Sequence, residues 1–136
     1  MWYEVREGDR LLALIVRNNF QCAGTRFFTP DSFSQQLGYM SHPKGHIIEP
    51  HSHLRVPREV EYTLEVLFIR KGRLQVDFYD DDQQFLRSEI LEAGDVILLA
   101  AGGHGFTALE DLEMFEVKQG PYVGTEDKHR FDSGNC

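Results

Sequence analysis

Two histidines, His51 and His53, stand one residue apart after a run of residues without helical periodicity. If residues 46–53 form an extended strand, side chains two positions apart project from the same face, so both imidazoles can point at one ion. Helical zinc sites place their histidines four residues apart, and no stretch of helical character here carries that spacing. The pair therefore indicates a metal site on a β framework.

The residues around this pair follow a known motif. Gly45 lies before His51 and His53, and Glu65 is followed by Gly72. The spacing resembles the first motif of the cupin superfamily: glycine, five residues, His-x-His, a short gap, glutamate, six residues, glycine. The gap, residues 54–64, is longer than the three or four residues usual in that family. An inserted loop explains the difference, because loops tolerate such additions at modest cost.

A later stretch resembles the second cupin motif. Gly94 and Gly102 occupy its glycine positions, and His104 stands for its histidine, one residue early. Ala100 and Ala108 replace the proline and the asparagine of that motif. The resemblance therefore adds His104 to His51 and His53 as the third histidine of the two motifs.

The resemblance implies an all-β fold, the double-stranded β-helix or jelly-roll barrel of the cupins. The residue pattern agrees, since about nine or ten short strand candidates alternate with glycine turns. Residues 73–79, for example, alternate apolar and polar side chains. We expect one domain over residues 1–136, with a core at about 35–119, N-terminal strands within 1–34 and a tail over 120–136. The tail is expected to strap across the barrel or to contact a second subunit.

The resemblance also implies a set of metal ligands: His51, His53, Glu65 and His104. Imidazole and carboxylate ligands suit one divalent transition metal ion, and they do not by themselves choose among Fe, Mn, Ni, Co, Cu and Zn. Glu59 or Glu61, in the inserted loop, could replace Glu65. Open coordination positions would support Lewis-acid or activated-water chemistry. The remaining histidines are expected to be surface or hydrogen-bonded residues: His42, His46 and His129.

The function expected from these features is an enzyme of the isomerase, epimerase or oxygenase type acting on a small polar metabolite. A carbohydrate or nucleotide-sugar is favoured, because residues 103–122 resemble small cupins associated with bacterial polysaccharide and sugar biosynthesis. Expected substrate contacts are Arg55, Tyr62 or Phe106. A second possibility needs no metal, and its catalytic set is His51 or His53 as base, Glu65 as orienting carboxylate, and Tyr62, Tyr39 or Tyr79 as acid. A third is a cupin that binds a metabolite or metal without turnover.

Composition narrows the choice of partners. The formal net charge is −8, and phosphate backbones are bound by clustered lysine and arginine, so a nucleic-acid partner is not expected. A local basic site for an anionic small molecule remains open. Its candidate residues are Arg55, Arg58, Arg70 and Lys71, although solvated loop and strand ends are the simpler interpretation.

The chain is expected to be a cytoplasmic protein. Its two cysteines, Cys22 and Cys136, do not form a disulfide framework. No signal-peptide pattern opens the sequence, and the apolar run at residues 11–16 is too short to cross a bilayer. A homodimer is expected from the cupin resemblance and from the aromatic pair Trp2 and Tyr3, which would otherwise expose apolar area.

Overall fold

The computed structural model describes residues 1–124 and 126–132, and this part of the chain contains strands and turns but no helix. Cys136, the end of the predicted tail, lies outside the described residues. The strands are β1 Trp2–Glu7, β2 Arg10–Val16, β3 Gly24–Phe27, β4 Gly38–Ser41, β5 Glu65–Lys71, β6 Arg73–Tyr79, β7 Phe85–Glu92, β8 Val96–Leu99, β9 Gly103–Ala108 and β10 Glu113–Lys118.

The strands form three antiparallel groups. A large sheet has the order β1-β2-β8-β5-β10, a small sheet has the order β7-β6-β9, and β3 pairs with β4 as a separate hairpin. Every pairing is antiparallel. The prediction of an all-β fold is confirmed, and closure of the sheets into a jelly roll belongs to the proposal below.

The large and small sheets share one apolar core. Leu67 and Ile69 of β5 face Leu74, Val76 and Phe78 of β6, and all five side chains are at most 1% exposed. Alternate residues of a strand point to the same face, so these positions define the inward face of each strand. We call this cluster the inter-sheet core.

A second apolar cluster covers the opposite face of the large sheet. Leu14 and Val16 of β2 pack there with Leu98 and with Phe28, which follows β3. Because β2 is covered on both faces, its sequence is a nearly continuous apolar run instead of an alternating one. Trp2 packs in this cluster, with its ring centroid 5.1 Å from that of Phe28.

Residues 42–64 contain no strand, so the expectation of a strand over residues 46–53 is wrong. Pro43, Pro50 and Pro57 interrupt this segment, and each lacks the backbone N–H that a sheet ladder needs. Nearly all of the segment is exposed. Loops of this length within compact domains are uncommon and are usually functional or disordered.

The Gly94-Asp95 part of the second motif has a structural role. Asp95 is 1% exposed and accepts hydrogen bonds from the backbone N–H groups of Asn18 and Glu92, each at 2.7 Å. Arg17 Nη1 donates to the same carboxylate at 3.0 Å. This carboxylate therefore joins the end of β2 to the turn before β8.

Replacing Asp95 tests this role. Asp95→Ala leaves two partly buried N–H donors and the Arg17 guanidinium without their acceptor, so we expect the free energy of unfolding to fall by roughly 3–5 kcal/mol. Urea unfolding followed by circular dichroism measures the change. The exposed Asp81, paired with Arg10 at 2.8 Å, is the matched control, and Asp81→Ala should cost under about 1 kcal/mol. Equal losses in the two variants would contradict the role given to Asp95.

Candidate functional site

Glu65 and His104 come from the two facing sheets and point into the same space. Glu65 begins β5, and it shares the inward face with Leu67 because the two are separated by one residue. His104 lies in β9 directly opposite Phe78 of β6. Since directly paired residues of antiparallel strands project to the same face, His104 also points inward. The pair therefore stands at one end of the inter-sheet core.

The two side chains are in contact. His104 Nε2 lies 3.4 Å from Glu65 Oε2, with the Glu65 side chain 13% exposed and the His104 side chain 29% exposed. The His104 ring lowers the pKa of the Glu65 carboxyl group by hydrogen bonding, against the opposing effect of burial. Lys118 and Lys128 lower this pKa further through their charges. Glu65 is therefore held ionised in a half-enclosed position.

The contact distance fits a shared metal ion. A separation of 3.4 Å is near the long limit for a hydrogen bond from nitrogen to oxygen. Two ligand atoms about 2.1 Å from a tetrahedral ion lie about 3.4 Å apart. The donor types and the separation of Glu65 and His104 are therefore compatible with a direct contact and with two ligands of one divalent transition metal.

Phe106 packs beside His104. Its ring centroid lies 5.3 Å from the imidazole centroid at an interplanar angle of 24°. The two residues share the inward face of β9 because they are two positions apart. Of the expected substrate contacts, Phe106 is the one that the structure places beside His104.

His51 and His53 lie apart from this pair, in the exposed segment 42–64. Their ring centroids are 5.3 Å apart at an interplanar angle of 79°, and His51 Nδ1 is 2.9 Å from the carbonyl oxygen of Glu49. Across residues 1–124 and 126–132, no three histidine, cysteine, aspartate or glutamate side chains gather at one point. The structure brings together two of the four predicted ligands, and the four-ligand set stays a prediction.

The same segment holds a second histidine pair, His42 and His46, which were expected to be surface or hydrogen-bonded residues. The rings of His42 and His46 stack with centroids 4.0 Å apart and an interplanar angle of 11°. His42 Nε2 also lies 3.4 Å from Thr25 Oγ1 of β3. Their spacing of four residues was visible in the sequence, but no helical pattern accompanied it.

The other candidate residues occupy different places. Tyr62, 74% exposed, lines a cleft of about 320 Å³ together with Glu59 and Glu61. Leu64 and Ala100 also line this cleft and belong to the cluster on the outer face of the large sheet. The cleft is therefore distinct from the Glu65 and His104 site. Of the three candidate glutamates, Glu65 contacts a predicted histidine ligand, whereas Glu59 and Glu61 line the cleft.

The remaining aromatic and basic candidates occupy other positions, and Tyr79 among them lies directly opposite Gly103, the residue before His104. Tyr39 packs edge-on against Phe20, with ring centroids 5.0 Å apart, in the outer cluster. Tyr79 is 2% exposed, and burial followed by the charge of Asp77 raises its pKa. Arg70 lies over the ring of Phe115, and Arg55 is exposed within segment 42–64.

Two functional candidates were missed in the sequence, Lys118 and Lys128. Lys118 is the direct partner of Glu65 in the pairing of β10 with β5. Only knowledge of this pairing could have found it, because the two residues are far apart in sequence. Nothing in the local sequence marks Lys128.

Family models, curated proteins and solved structures were each compared with this chain, and none matches it. The cupin assignment accordingly stays a prediction from the first motif. In the described ranges, no helix has the length and apolar character needed to span a bilayer.

The lowered pKa of Glu65 predicts a pH-dependent contribution to stability. A carboxyl group whose pKa is lower in the folded state stabilises the fold above its unfolded pKa, and this contribution disappears as the pH falls through the folded pKa. The ordinary value is 4.5. The stability difference between the chelator-treated protein and its Glu65→Gln variant should therefore be largest near neutral pH and shrink below pH 4.5.

Urea unfolding at a series of pH values measures this difference. Glu116→Gln provides a control on the neighbouring strand, because that side chain is exposed. A Glu65→Gln effect that is constant from neutral pH down to about pH 3 would contradict an ionised, stabilising Glu65.

Proposed function

We propose that this chain is a metal-binding protein of the cupin type that acts on a small polar metabolite at the end of the inter-sheet core. Closure of its sheets into a jelly-roll barrel is part of the proposal. The observation that carries it is the contact of Glu65 Oε2 with His104 Nε2 at 3.4 Å, since two predicted ligands far apart in sequence meet across two sheets. Carbohydrates or nucleotide-sugars are the favoured substrate class, from the sequence resemblance.

Glu65 and His104 would hold a divalent transition metal ion, and His51 and His53 would complete the set expected from the motif. Such an ion supplies Lewis-acid activation of a substrate oxygen or of water. Segment 42–64, which carries both of these histidines, leads directly into Glu65 at the start of β5. Because His51 and His53 lie apart from Glu65 in the structure, the proposal requires this segment to change its course when the four residues bind one ion.

The protein itself supplies orientation and electrostatics. The Glu65 carboxylate holds the Nε2 side of the His104 ring, and the Phe106 ring packs on the imidazole face. Because both groups project from strands, their positions are fixed by sheet packing. A preorganised pair loses little free energy to reorganisation when substrate binds.

The same contact supports a second function that needs no metal. A histidine oriented by a carboxylate is the usual arrangement of a general base, and Glu65 is in contact with His104 instead of the expected His51 or His53. The acid partner would then be a substrate-bound water or a tyrosine brought by segment 42–64, where Tyr62 lies. Binding without turnover is the third outcome, and it predicts ligand affinity with no product.

Elemental analysis of protein purified without chelator tests the metal. We expect about one transition metal ion per chain, and Glu65→Gln and His104→Gln should each weaken metal binding by at least roughly tenfold, since even second-shell changes cost that much. The double variant His51→Ala/His53→Ala should also weaken binding. His129→Ala, which changes a histidine next to Gln83, is the matched control and should retain the metal.

The outcomes separate the alternatives. Metal that is lost with His51 and His53 but kept by the Glu65 and His104 variants would place the site in segment 42–64 and contradict the proposal. No metal after reconstitution with Fe(II), Mn, Ni and Zn would contradict the metal-binding function and favour acid-base work by His104. A pH profile of turnover on nucleotide-linked keto-sugars would then test that second function.

The homodimer also stays a prediction, but the apolar surface that would form it is not the Trp2 and Tyr3 pair. Tyr3 packs against the inter-sheet core and Trp2 against the outer cluster, so neither presents a free apolar surface. The outer face of β5 and β10 instead exposes Phe68, Phe115 and Val117 at 41%, 56% and 62%. Multi-angle light scattering at micromolar concentration should give twice the chain mass. A monomer mass would contradict the dimer, and Phe115→Ser should reduce the dimer fraction.

A further inference from the structure

The C-terminal residues 126–132, which we call the strap, cross the end of the two sheets. Asp127 Oδ2 accepts a hydrogen bond from Thr63 Oγ1 at 2.8 Å, just before β5 of the large sheet. Phe131 packs edge-on against Tyr79 at the end of β6 of the small sheet, with ring centroids 5.2 Å apart. The strap therefore runs from one sheet to the other at the end where Glu65 and His104 meet.

Further contacts hold the strap on the small sheet. His129 Nδ1 lies 3.3 Å from Gln83 Nε2 in the turn between β6 and β7. A Cβ atom added at Gly103 would lie 3.1 Å from the Phe131 ring, so the glycine lets that ring approach the start of β9 closely. His104 follows Gly103 directly. The strap thus packs against Gly103, which is next to the candidate ligand His104.

Two lysines lie near the site on different elements, and the charges of both lower the pKa of Glu65. Lys118 lies directly opposite Glu65 in the antiparallel pairing of β10 with β5, so both side chains project to the same face. Lys128 follows Asp127, the residue that the strap fixes beside β5. Within the described ranges, neither lysine forms a salt bridge.

The chain as a whole is acidic, with a formal net charge of −8, so two lysines at one end of the core are uncommon in it. Two carboxylates lie near the lysines, and each already has a partner: Glu65 contacts His104, and Asp127 accepts a hydrogen bond from Thr63. An anionic group of a ligand at the end of the core would meet two ammonium groups and the Phe106 ring. The half-enclosed position screens such an attraction less than open solvent does.

We propose that Lys118 and Lys128 form an anion subsite beside Glu65 and His104, and that the metabolite bound there carries a carboxylate or phosphate group. The inference rests on the proposed function in placing the ligand at this end of the core. The strap completes the subsite, because it alone delivers Lys128. The ligand chemistry is thereby narrowed from a polar metabolite to an anionic one.

Titration calorimetry on the full chain as purified tests the subsite, with inorganic phosphate and succinate as separate probes. The variants are Lys118→Gln and Lys128→Gln. Each should weaken binding of the preferred probe roughly tenfold, as expected for loss of a charged hydrogen-bond donor, and the double variant should weaken it further. Added salt should also weaken binding. The probe that binds more tightly identifies the anionic group.

Lys71→Gln is the matched control, because Lys71 ends β5 about 20 Å from Glu65 at roughly 3.3 Å per residue. It should bind the probe as the unmodified protein does. Phe131→Ala tests the strap itself, because it removes the contact with Tyr79 that holds the strap in place. This variant should weaken probe binding as much as Lys128→Gln does, and the remaining affinity should come from Lys118. Both variants change side chains outside the inter-sheet core, so the fold should persist.

Three results would overturn the proposal: no binding of either probe at millimolar concentration, equal weakening by Lys71→Gln, or lysine variants that bind as tightly as the unmodified protein. The last result would mean that the lysines serve only to neutralise Glu65. Metal content measured on the same samples separates the two proposals. Lysine-dependent anion binding in protein that holds no metal supports the subsite and contradicts the metal site. Bound metal in protein that binds neither anion supports the metal site and contradicts the subsite.

Discussion

The alternation of side chains along β5 determines the direction of Glu65. Leu67 and Ile69 must face the inter-sheet core, and Glu65 follows them inward because the strand period is two. A carboxylate so placed loses part of its hydration and needs a compensating partner. His104 contacts it from the facing sheet, and Lys118 stands opposite it on β10. The candidate site is thus a consequence of ending an apolar core with an acidic residue.

The site also depends on the packing of separate elements. Glu65 belongs to the large sheet and His104 to the small one, so their distance is fixed by the shared core that holds the sheets together. The strap adds a third element through Asp127 and Phe131. A change in sheet packing would separate the pair without altering either residue, which links the stability of the fold to the chemistry proposed for it.

Much of the fold could be predicted because its signals are local. The alternation of β6 and the continuous apolar run of β2 each indicate a strand without any tertiary information. The strand expected over residues 46–53 is absent because Pro43 and Pro50 remove ladder donors and no neighbouring strand pairs with the segment. Glu65 and His104 were singled out by the motif resemblance, and the structure places them in contact, while their role as ligands stays a prediction. The strap and its lysine depend on long-range contacts that no local pattern encodes.

The central claim is that Glu65 and His104 share one metal ion at the end of the inter-sheet core. Crystals grown with Co²⁺ and measured at the cobalt absorption edge test it most directly, because anomalous scattering locates the ion independently of any activity. A shared ion gives a peak about 2.0–2.2 Å from Glu65 Oε2 and His104 Nε2. A peak bound by His51 and His53 alone, with Glu65 and His104 still in direct contact, would contradict it.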